Sequence, residues 1–249
     1  MYLDRAIFVV YHPGAYGSFL RHCINLSDDV FDKKEKTVDI FWEGGQAHRN
    51  MTEFIRLFHD GDDLNRWYSL THEESLKYLS DNWVGTPELE QSNKFYVHRI
   101  AGPKSYDKVR EYFPKSKFVY ISFTKENVEE IADLMANKTL YGYMRKIKFR
   151  EPEKFQHYQT LNNEDVINIY KKICAEMVGS LEQPTVDEFN LVKNVFEFKF
   201  DWFYNKEIFV KKYNEMCGFL EIAKADIQDL YDNFAKVNNI QEKNDTMVL

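Results

Sequence analysis

The stretch that decides the fold is AIFVVYHPGAYGSFLRHCINL, residues 6–26. Its first part, Ala6–Tyr11, is an uninterrupted apolar run rich in β-branched and aromatic residues, which is typical of a strand buried on both faces. Gly14 and Gly17 then break the run, and Ser18–Leu26 has the composition of a helix. Because strand, glycine turn and helix follow one another without spare residues, the stretch predicts a βα unit.

The rest of the chain continues this alternation. Predicted strands are 38–42, 95–99, 117–123 and 195–200, and predicted helices are 51–81, 105–112, 127–137, 163–179, 205–219 and 225–238. This order predicts an α/β fold of three layers, α/β/α, in which a mostly parallel five-stranded sheet carries its first strand near the centre. No repeat or Pro-rich linker divides the sequence, so we expect a single domain over residues 1–249.

The composition is that of a globular chain with an acidic charge balance. Hydrophobic residues make up 44% and aromatic residues 16%, which predicts either a well-filled aromatic core or an aromatic-lined pocket. A net charge of -7 at pH 7 argues against a nucleic-acid binder but permits a local pocket for a small anion. No apolar run of about 18 residues occurs, so we expect no membrane-spanning helix, no membrane partner and a cytoplasmic protein.

The cysteines and histidines show no pattern of a metal site. Cys23, Cys174 and Cys217 are far apart and form no CxxC pair, and the seven histidines show no HExxH spacing. The sequence therefore predicts no zinc site, no disulfide framework and no bound metal.

Residues 12–19, HPGAYGSF, have the composition of a phosphate-cradling loop. Gly14 and Gly17 let the backbone turn tightly, and the following helix directs its first N–H groups and its positive dipole end toward a ligand. An anion is expected there, with the Ser18 hydroxyl as a further donor. The ATPase pattern GxxxxGK(S/T) is not met because no lysine precedes Ser18, so ordinary ATP hydrolysis is disfavoured. A glycine-bearing turn without a ligand is the alternative.

Three segments spread along the chain carry a likeness to a known family. They are PGAYGSFL at residues 13–20, FPKSKFVYI at residues 113–121, and FKFDWF at residues 198–203 together with CGFLEI at residues 217–222. In this order they resemble the sulfotransferases. The first is similar to the loop that holds the donor's 5'-phosphosulfate, the second to the strand that leads to its 3'-phosphate, and the third to the last strand and final helix of that family.

The resemblance implies a P-loop type of α/β fold and a donor, 3'-phosphoadenosine 5'-phosphosulfate, whose sulfuryl group passes to a hydroxyl or amine acceptor without a metal. The residues that it implies for donor binding are Pro13, Gly14, Ala15, Tyr16, Gly17, Ser18, Phe19 and Lys125. We expect a small-molecule or glycan-like acceptor, with its pocket or a lid formed by residues 42–90 and 141–160. A solvated loop is the alternative for the basic and aromatic segment 141–160.

The sequence departs from the family's pattern in the residues expected to bind the two ends of the donor, the 5'-phosphosulfate and the 3'-phosphate. Gly14 stands where the family usually has a basic residue that neutralises charge at the sulfuryl group, and Tyr16 stands where it usually has a glycine. The arginine and serine that usually hold the 3'-phosphate are replaced by the segment 123–125 and by Ile131, so Lys125 would have to serve instead. The family's C-terminal Arg-Lys-Gly loop is also missing from the sequence.

Transfer also needs a base for the acceptor's proton and positive charge near the leaving oxygen. His98 and Arg99 close the predicted strand 95–99, and functional groups gather at the carboxyl ends of parallel strands. The resemblance makes His98 the base, with Arg99 as charge stabiliser. His12 follows the first strand and can replace the missing basic residue, and Glu43 is an alternative base. For both histidines, packing without chemistry is the alternative.

Four functions are compatible with these residues. They are a sulfotransferase, a related P-loop protein that binds a nucleotide or another phosphate ligand without transfer, a nucleotide or nucleoside kinase on the same fold class, and an interaction protein that keeps only the scaffold. The departures at the donor's 3' end favour the second function, and the missing loop lysine counts against the kinase.

Overall fold

The computed structural model describes residues 6–12, 14–30, 95–101, 115–180 and 194–240 of the chain. Within these ranges the elements in chain order are β1 (Ala6–Tyr11), α1 (Gly17–Asn25), β2 (Tyr96–Ala101), β3 (Lys117–Ser122), α2 (Val128–Arg150), α3 (Pro152–Gln159), α4 (Asn163–Gly179), β4 (Val195–Lys199), α5 (Lys206–Leu220) and α6 (Gln228–Val237). Short 3-10 helices at Lys125–Asn127 and Phe200–Tyr204 precede α2 and α5. The predicted helices 51–81 and 105–112 lie outside the described residues.

The strands of the described ranges form one parallel sheet in the order β2-β1-β3-β4. Val9 of β1 pairs with Arg99 of β2 on one side and with Val119 of β3 on the other, and β4 continues the sheet beyond β3. The prediction of an α/β fold with a parallel sheet and an interior first strand is therefore confirmed. The remaining predicted strand, 38–42, lies outside the described residues.

β1 is buried along its whole length, which fits its uncharged composition rich in β-branched and aromatic residues. Phe8 stacks on Phe118 of β3, with the two ring centroids 5.2 Å apart. Ile7 and Val9 join the main core together with Phe19 of α1. Strand and helix thus form the predicted βα unit, and the loop between them is anchored at both ends.

Aromatic rings from α1 and from the C-terminal elements build the main core. Phe19 stacks on Phe234 of α6 at a centroid distance of 3.8 Å and on Phe209 of α5 at 5.3 Å. Phe203, which precedes α5, lies 5.3 Å from the Phe209 ring. Burying each such ring contributes about 1.5–3 kcal/mol, so α5 and α6 are held firmly against the helix that follows the loop. In the described part of the chain, the high aromatic content fills a core.

α2 is much longer than the helix predicted over residues 127–137. It continues because Leu140, Tyr143 and Ile147 keep the helical spacing of apolar residues. The first proline after the predicted end is Pro152, and it begins α3 at the N-terminal position where proline is well tolerated.

Residues 141–160 accordingly lie almost entirely within α2 and α3. Ile147 is buried with Tyr158 of α3 and Val166 of α4 in a second, smaller core. The alternative of a solvated loop over 141–160 is therefore wrong, while a role of this segment as an acceptor pocket or lid stays a prediction.

The C-terminal helices begin at the polar residues that the sequence offers as caps. The Asn162 side chain accepts a hydrogen bond from the Asp165 N–H at 2.8 Å and caps α4, and the Asn205 side chain accepts one from the Ile208 N–H at 3.0 Å and caps α5. The predicted helices 163–179, 205–219 and 225–238 are confirmed as α4, α5 and α6.

Candidate anion-binding site

The loop between β1 and α1 turns at the carboxyl end of an interior strand, where ligands of parallel sheets gather. The Ala15 N–H donates to the His12 carbonyl oxygen at 3.0 Å, which closes the turn. The N–H groups of Phe19 and Leu20 both donate to the carbonyl oxygen of Tyr16, at 2.9 and 3.2 Å, so α1 begins directly after Tyr16. Helix geometry directs the earliest N–H groups of α1, together with its positive dipole end, back toward the loop.

Gly14 packs against the backbone of α2. Its φ angle is 95°, a left-handed conformation that favours glycine. A Cβ atom at this position would lie 2.5 Å from the carbonyl oxygen of Ile131 and 3.1 Å from the amide nitrogen of Met135. The loop therefore lies directly on α2, and no basic side chain fits at Gly14 in this arrangement.

Gly17 lies under the ring of Tyr11, which a Cβ atom at Gly17 would overlap. The Tyr11 hydroxyl is hydrogen-bonded to the Ser18 hydroxyl at 2.9 Å. Tyr11 is buried and Ser18 is half-buried, so the serine hydroxyl is held in place at the first turn of α1. The sequence predicted Gly17 and Ser18 for the loop but did not single out Tyr11, whose partner is seven residues away.

Tyr16 turns its side chain into the aromatic core. It is the residue before α1, and it adopts the left-handed conformation at φ 54° and ψ 13°. Its ring stacks on Phe200 at a centroid distance of 5.7 Å and meets the Phe234 ring edge-on at 4.9 Å. Burial raises the pKa of Tyr16 to about 12, the nearby Tyr204 hydroxyl lowers it in part, and the charge of Glu130 raises it further. Tyr16 therefore stays protonated at physiological pH.

Lys138 of α2 brings a positive charge to the loop. Its ammonium nitrogen lies 5.3 Å from the centroid of the Tyr16 ring. Although the residue is exposed as a whole, desolvation of the ammonium lowers the pKa of Lys138 below its ordinary value of 10.5. Lys138 was not among the predicted site residues, because the helix predicted over 127–137 stopped just before it. Extending the helical spacing beyond Met135 would have kept Lys138 in the helix, but only the packing of α2 on Gly14 brings it next to Tyr16.

The stretch at the end of β3 and after it, where the resemblance expects the 3'-phosphate, holds two sets of hydrogen-bonded polar side chains. The Thr124 N–H and hydroxyl both donate to the Asn127 side-chain oxygen, at 2.8 and 3.1 Å. The Asn127 amide group donates to a carboxylate oxygen of Asp201 at 2.8 Å, and the Ser122 hydroxyl donates to Glu197 at 2.6 Å. Two carboxylates therefore take the hydrogen bonds in this region.

Lys125 begins the 3-10 helix in the same stretch, and its side chain is exposed. It lies on the loop after β3, at the sheet edge that also carries the loop of residues 12–19. Phe123 and Ile131, at the positions where the family usually has arginine and serine, are both buried. Lys125 is thus the basic side chain that the segment 123–125 offers to an anion.

His12 and Phe123 are brought together beneath the loop. His12 is buried, and the two rings meet edge-on with centroids 5.8 Å apart. His12 therefore stands at the predicted place beside the loop, packed against the residue that replaces the family's arginine. Its role toward an anion stays a prediction.

His98 and Arg99 lie farther from the strand end than the sequence suggested. β2 continues to Ala101, which pairs with Tyr11, whereas His98 pairs with Phe8 and Arg99 with Val9. At about 3.3 Å per residue, the backbone of His98 lies roughly 10 Å short of the carboxyl end of the strand. Their placement at the strand end was wrong, and their catalytic roles remain predictions. Pro13 and Glu43 lie outside the described residues.

Within the described ranges, no cluster of three or more His, Cys, Asp or Glu side chains offers a metal site. In the same ranges, no helix is both long enough and apolar enough to span a membrane.

No protein-family model and no curated protein matches the chain. Among solved structures, the chain is similar to a sulfotransferase from Alicyclobacillus acidocaldarius, with a TM-score of 0.44 and 15% identity over 93% of this chain and 90% of that one. It is also similar to the sulfotransferase domain from the Synechococcus PCC 7002 olefin synthase, with a TM-score of 0.41 and 13% identity over 98% of this chain and 88% of that one. Both bear the name of the family that the three sequence segments resemble.

Proposed function

We propose that this chain is a sulfotransferase-type transferase. It binds 3'-phosphoadenosine 5'-phosphosulfate at the loop of residues 12–19 and passes the sulfuryl group to a hydroxyl or amine acceptor. The observation that supports this most is that three groups that favour an anion lie in the loop or next to one of its residues. These are the N-terminus of α1, the Ser18 hydroxyl and the Lys138 ammonium.

Lys138 supplies the positive charge that a basic residue at the position of Gly14 usually supplies in the family. The packing of Gly14 on α2 leaves no room for a side chain there, yet the same helix brings Lys138 to the loop about two turns after Ile131. A cation beside the bridging oxygen stabilises the negative charge that develops there as the sulfuryl group departs. The charge is thus supplied from a different element and a different point in the chain.

The remaining chemistry is the removal of the acceptor's proton. We assign it to His98, with Glu43 as the alternative base, and we assign charge stabilisation to Arg99 and His12 beside Lys138. The sulfuryl group moves in line between two oxygens, so the base must reach the acceptor hydroxyl on the side opposite the leaving phosphate.

A second candidate function is a P-loop protein that binds a phosphate ligand without sulfuryl transfer. The network around Asn127 favours it, because Asp201 and Glu197 occupy hydrogen-bond donors in the region where a 3'-phosphate would need them. Carboxylates near a phosphate are repulsive, so only Lys125 counts in favour of a 3'-phosphate in this stretch.

Calorimetric titration with three nucleotides separates these functions. The ligands are 3'-phosphoadenosine 5'-phosphate, adenosine 5'-phosphate, and ATP with magnesium. A sulfotransferase should bind the first at least tenfold more tightly than the second, because a charge-assisted phosphate contact contributes about 1.5–3 kcal/mol. Equal affinity for the first two would favour the second candidate, and binding of ATP that requires magnesium would favour a kinase. Binding of none would leave only the scaffold.

Lys138→Gln should weaken binding of 3'-phosphoadenosine 5'-phosphate about tenfold to hundredfold, since it removes the cation from the loop while keeping a similar side-chain length. In the wild type, affinity should fall as pH rises through the Lys138 pKa, which lies below 10.5, because the neutral amine no longer attracts the anion. The variant should lose this part of the pH dependence. Titration across a pH series measures both effects.

Lys146→Gln is the matched control for Lys138→Gln. Lys146 is an exposed lysine on the same helix, about 12 Å farther along the axis, so its removal changes the net charge equally but leaves the loop intact. If both variants bind as the wild type does, Lys138 is not the cation of the loop.

A further inference from the structure

The C-terminal half of α2 exposes two large aromatic side chains among cations. Tyr141 is 83% exposed and Phe149 is 75% exposed. Between residues 134 and 150 the chain carries five positive side chains and no negative one, although its net charge is -7. The segment therefore combines exposed apolar surface with concentrated positive charge. These two features rarely occur together on a surface that contacts only solvent.

Tyr141, Arg145, Lys148 and Phe149 share one face of α2. With about 3.6 residues per turn, they fall within an arc of about 100°, and about 12 Å along the axis separates the two aromatic residues. The opposite face is occupied along this part of the helix, because Ile147 is buried in the second core and Tyr143 packs against that core. The aromatic–basic face, as we call these four residues, is thus fixed in position by the packing behind it.

The end of α2 is exposed at nearly every position. Over residues 145–150, five side chains, Arg145, Lys146, Lys148, Phe149 and Arg150, are exposed, and only Ile147 is buried. Among the described residues, Tyr141 and Phe149 are too exposed to line a cleft that encloses a small ligand. A flat anionic surface needs no cleft, because aromatic rings can enter the interface while the long cationic side chains reach the phosphate groups around them.

We propose that the aromatic–basic face of α2 docks the protein on an anionic lipid surface. Tyr141 and Phe149 insert into the headgroup region, and Arg145 and Lys148 pair with lipid phosphates. This peripheral contact requires no membrane-spanning segment, and it revises the expectation of no membrane partner, which considered only long apolar runs. Docking does not depend on the loop of residues 12–19, so this proposal is independent of the proposed transferase function.

Cosedimentation with vesicles tests the docking. Phosphatidylcholine vesicles are compared with vesicles in which about a third of the lipid is phosphatidylserine. The wild type should bind the anionic vesicles, more weakly as salt rises, and bind the neutral ones far less. Arg145→Gln with Lys148→Gln should weaken binding about tenfold to thirtyfold, and Tyr141→Ala with Phe149→Ala about tenfold or more, as all four side chains are exposed and the fold should tolerate their loss.

Lys211→Gln with Lys236→Gln is the charge-matched control. Both lysines are exposed, on α5 and α6, so this pair lowers the net charge equally but should bind vesicles like the wild type. The proposal is overturned if the wild type does not bind anionic vesicles, or if the control substitutions weaken binding as much as the substitutions of Arg145 and Lys148 do. It is equally overturned if a soluble polyanion binds through the same four residues while vesicles do not.

Discussion

Gly14→Ala should destabilise the protein by about 3 kcal/mol, one of the largest effects expected of adding a single methyl group to this chain. The new Cβ would lie 2.5 Å from the carbonyl oxygen of Ile131, which belongs to the backbone of α2 and cannot rotate away. The φ angle of 95° adds a backbone cost for any residue with a side chain. Urea unfolding should show a lower midpoint with an unchanged slope.

Gly142→Ala provides the control for that variant. Gly142 lies within α2, where a Cβ would meet nothing within 4 Å, so alanine should stabilise the helix by about 0.5–1 kcal/mol. Opposite signs for the two substitutions would establish that the loop rests on α2. A Gly14→Ala variant as stable as the wild type would contradict this contact, and with it the reason why the loop must obtain its cation from Lys138.

The sequence predicted those elements whose signals are local. β1 was found with its correct bounds because six consecutive uncharged residues can be buried on both faces without a partner being known. α4 was found with its correct bounds, and its apolar residues Val166, Tyr170, Cys174 and Val178 recur at helical spacing and are buried. The parallel order of strands followed from the βα alternation, which leaves few topologies open.

The length of α2 could not be predicted in the same way. Arg145, Lys146 and Lys148 dilute the apolar pattern after residue 137, so the segment resembled a charged loop. What keeps it helical is the contact of Ile147 with α3 and α4, a tertiary contact that a local pattern does not contain. The end of β2 was misjudged for a related reason, since polar residues at 98–99 were taken to end a strand that continues to Ala101.

The residues of the candidate site likewise fall into those that local sequence signals predict and those that depend on tertiary packing. Gly14, Gly17 and Ser18 could be chosen from the sequence, because a turn and a helix start at fixed offsets from a buried strand. Tyr11 and Lys138 could not, because their roles depend on which side chain lies over the loop once β1, α1 and α2 have packed. The sequence thus identifies the backbone of an anion site, and the tertiary fold decides which side chains complete it.

Tyr16→Gly should destabilise the protein by about 2–3 kcal/mol, even though glycine is the residue that the sulfotransferase pattern has at this position. Two opposing effects decide the sign. Glycine relieves the left-handed conformation at φ 54°, a gain of about 1–2 kcal/mol. It also removes a buried ring that contacts Phe200 and Phe234, and a loss of this kind costs about 3–5 kcal/mol.

Tyr16→Phe separates the ring from the hydroxyl in this comparison. It keeps the aromatic packing and the backbone conformation, so urea unfolding should show a loss of about 1 kcal/mol or less. If Tyr16→Gly instead proves as stable as the wild type, backbone strain outweighs packing at this residue, and the Tyr16 ring is not needed to anchor the loop. If the expected order holds, burial of the Tyr16 ring in the aromatic core fixes the loop. The Phe234 ring of α6 contacts the Tyr16 ring, and Lys138 lies over that same Tyr16 ring.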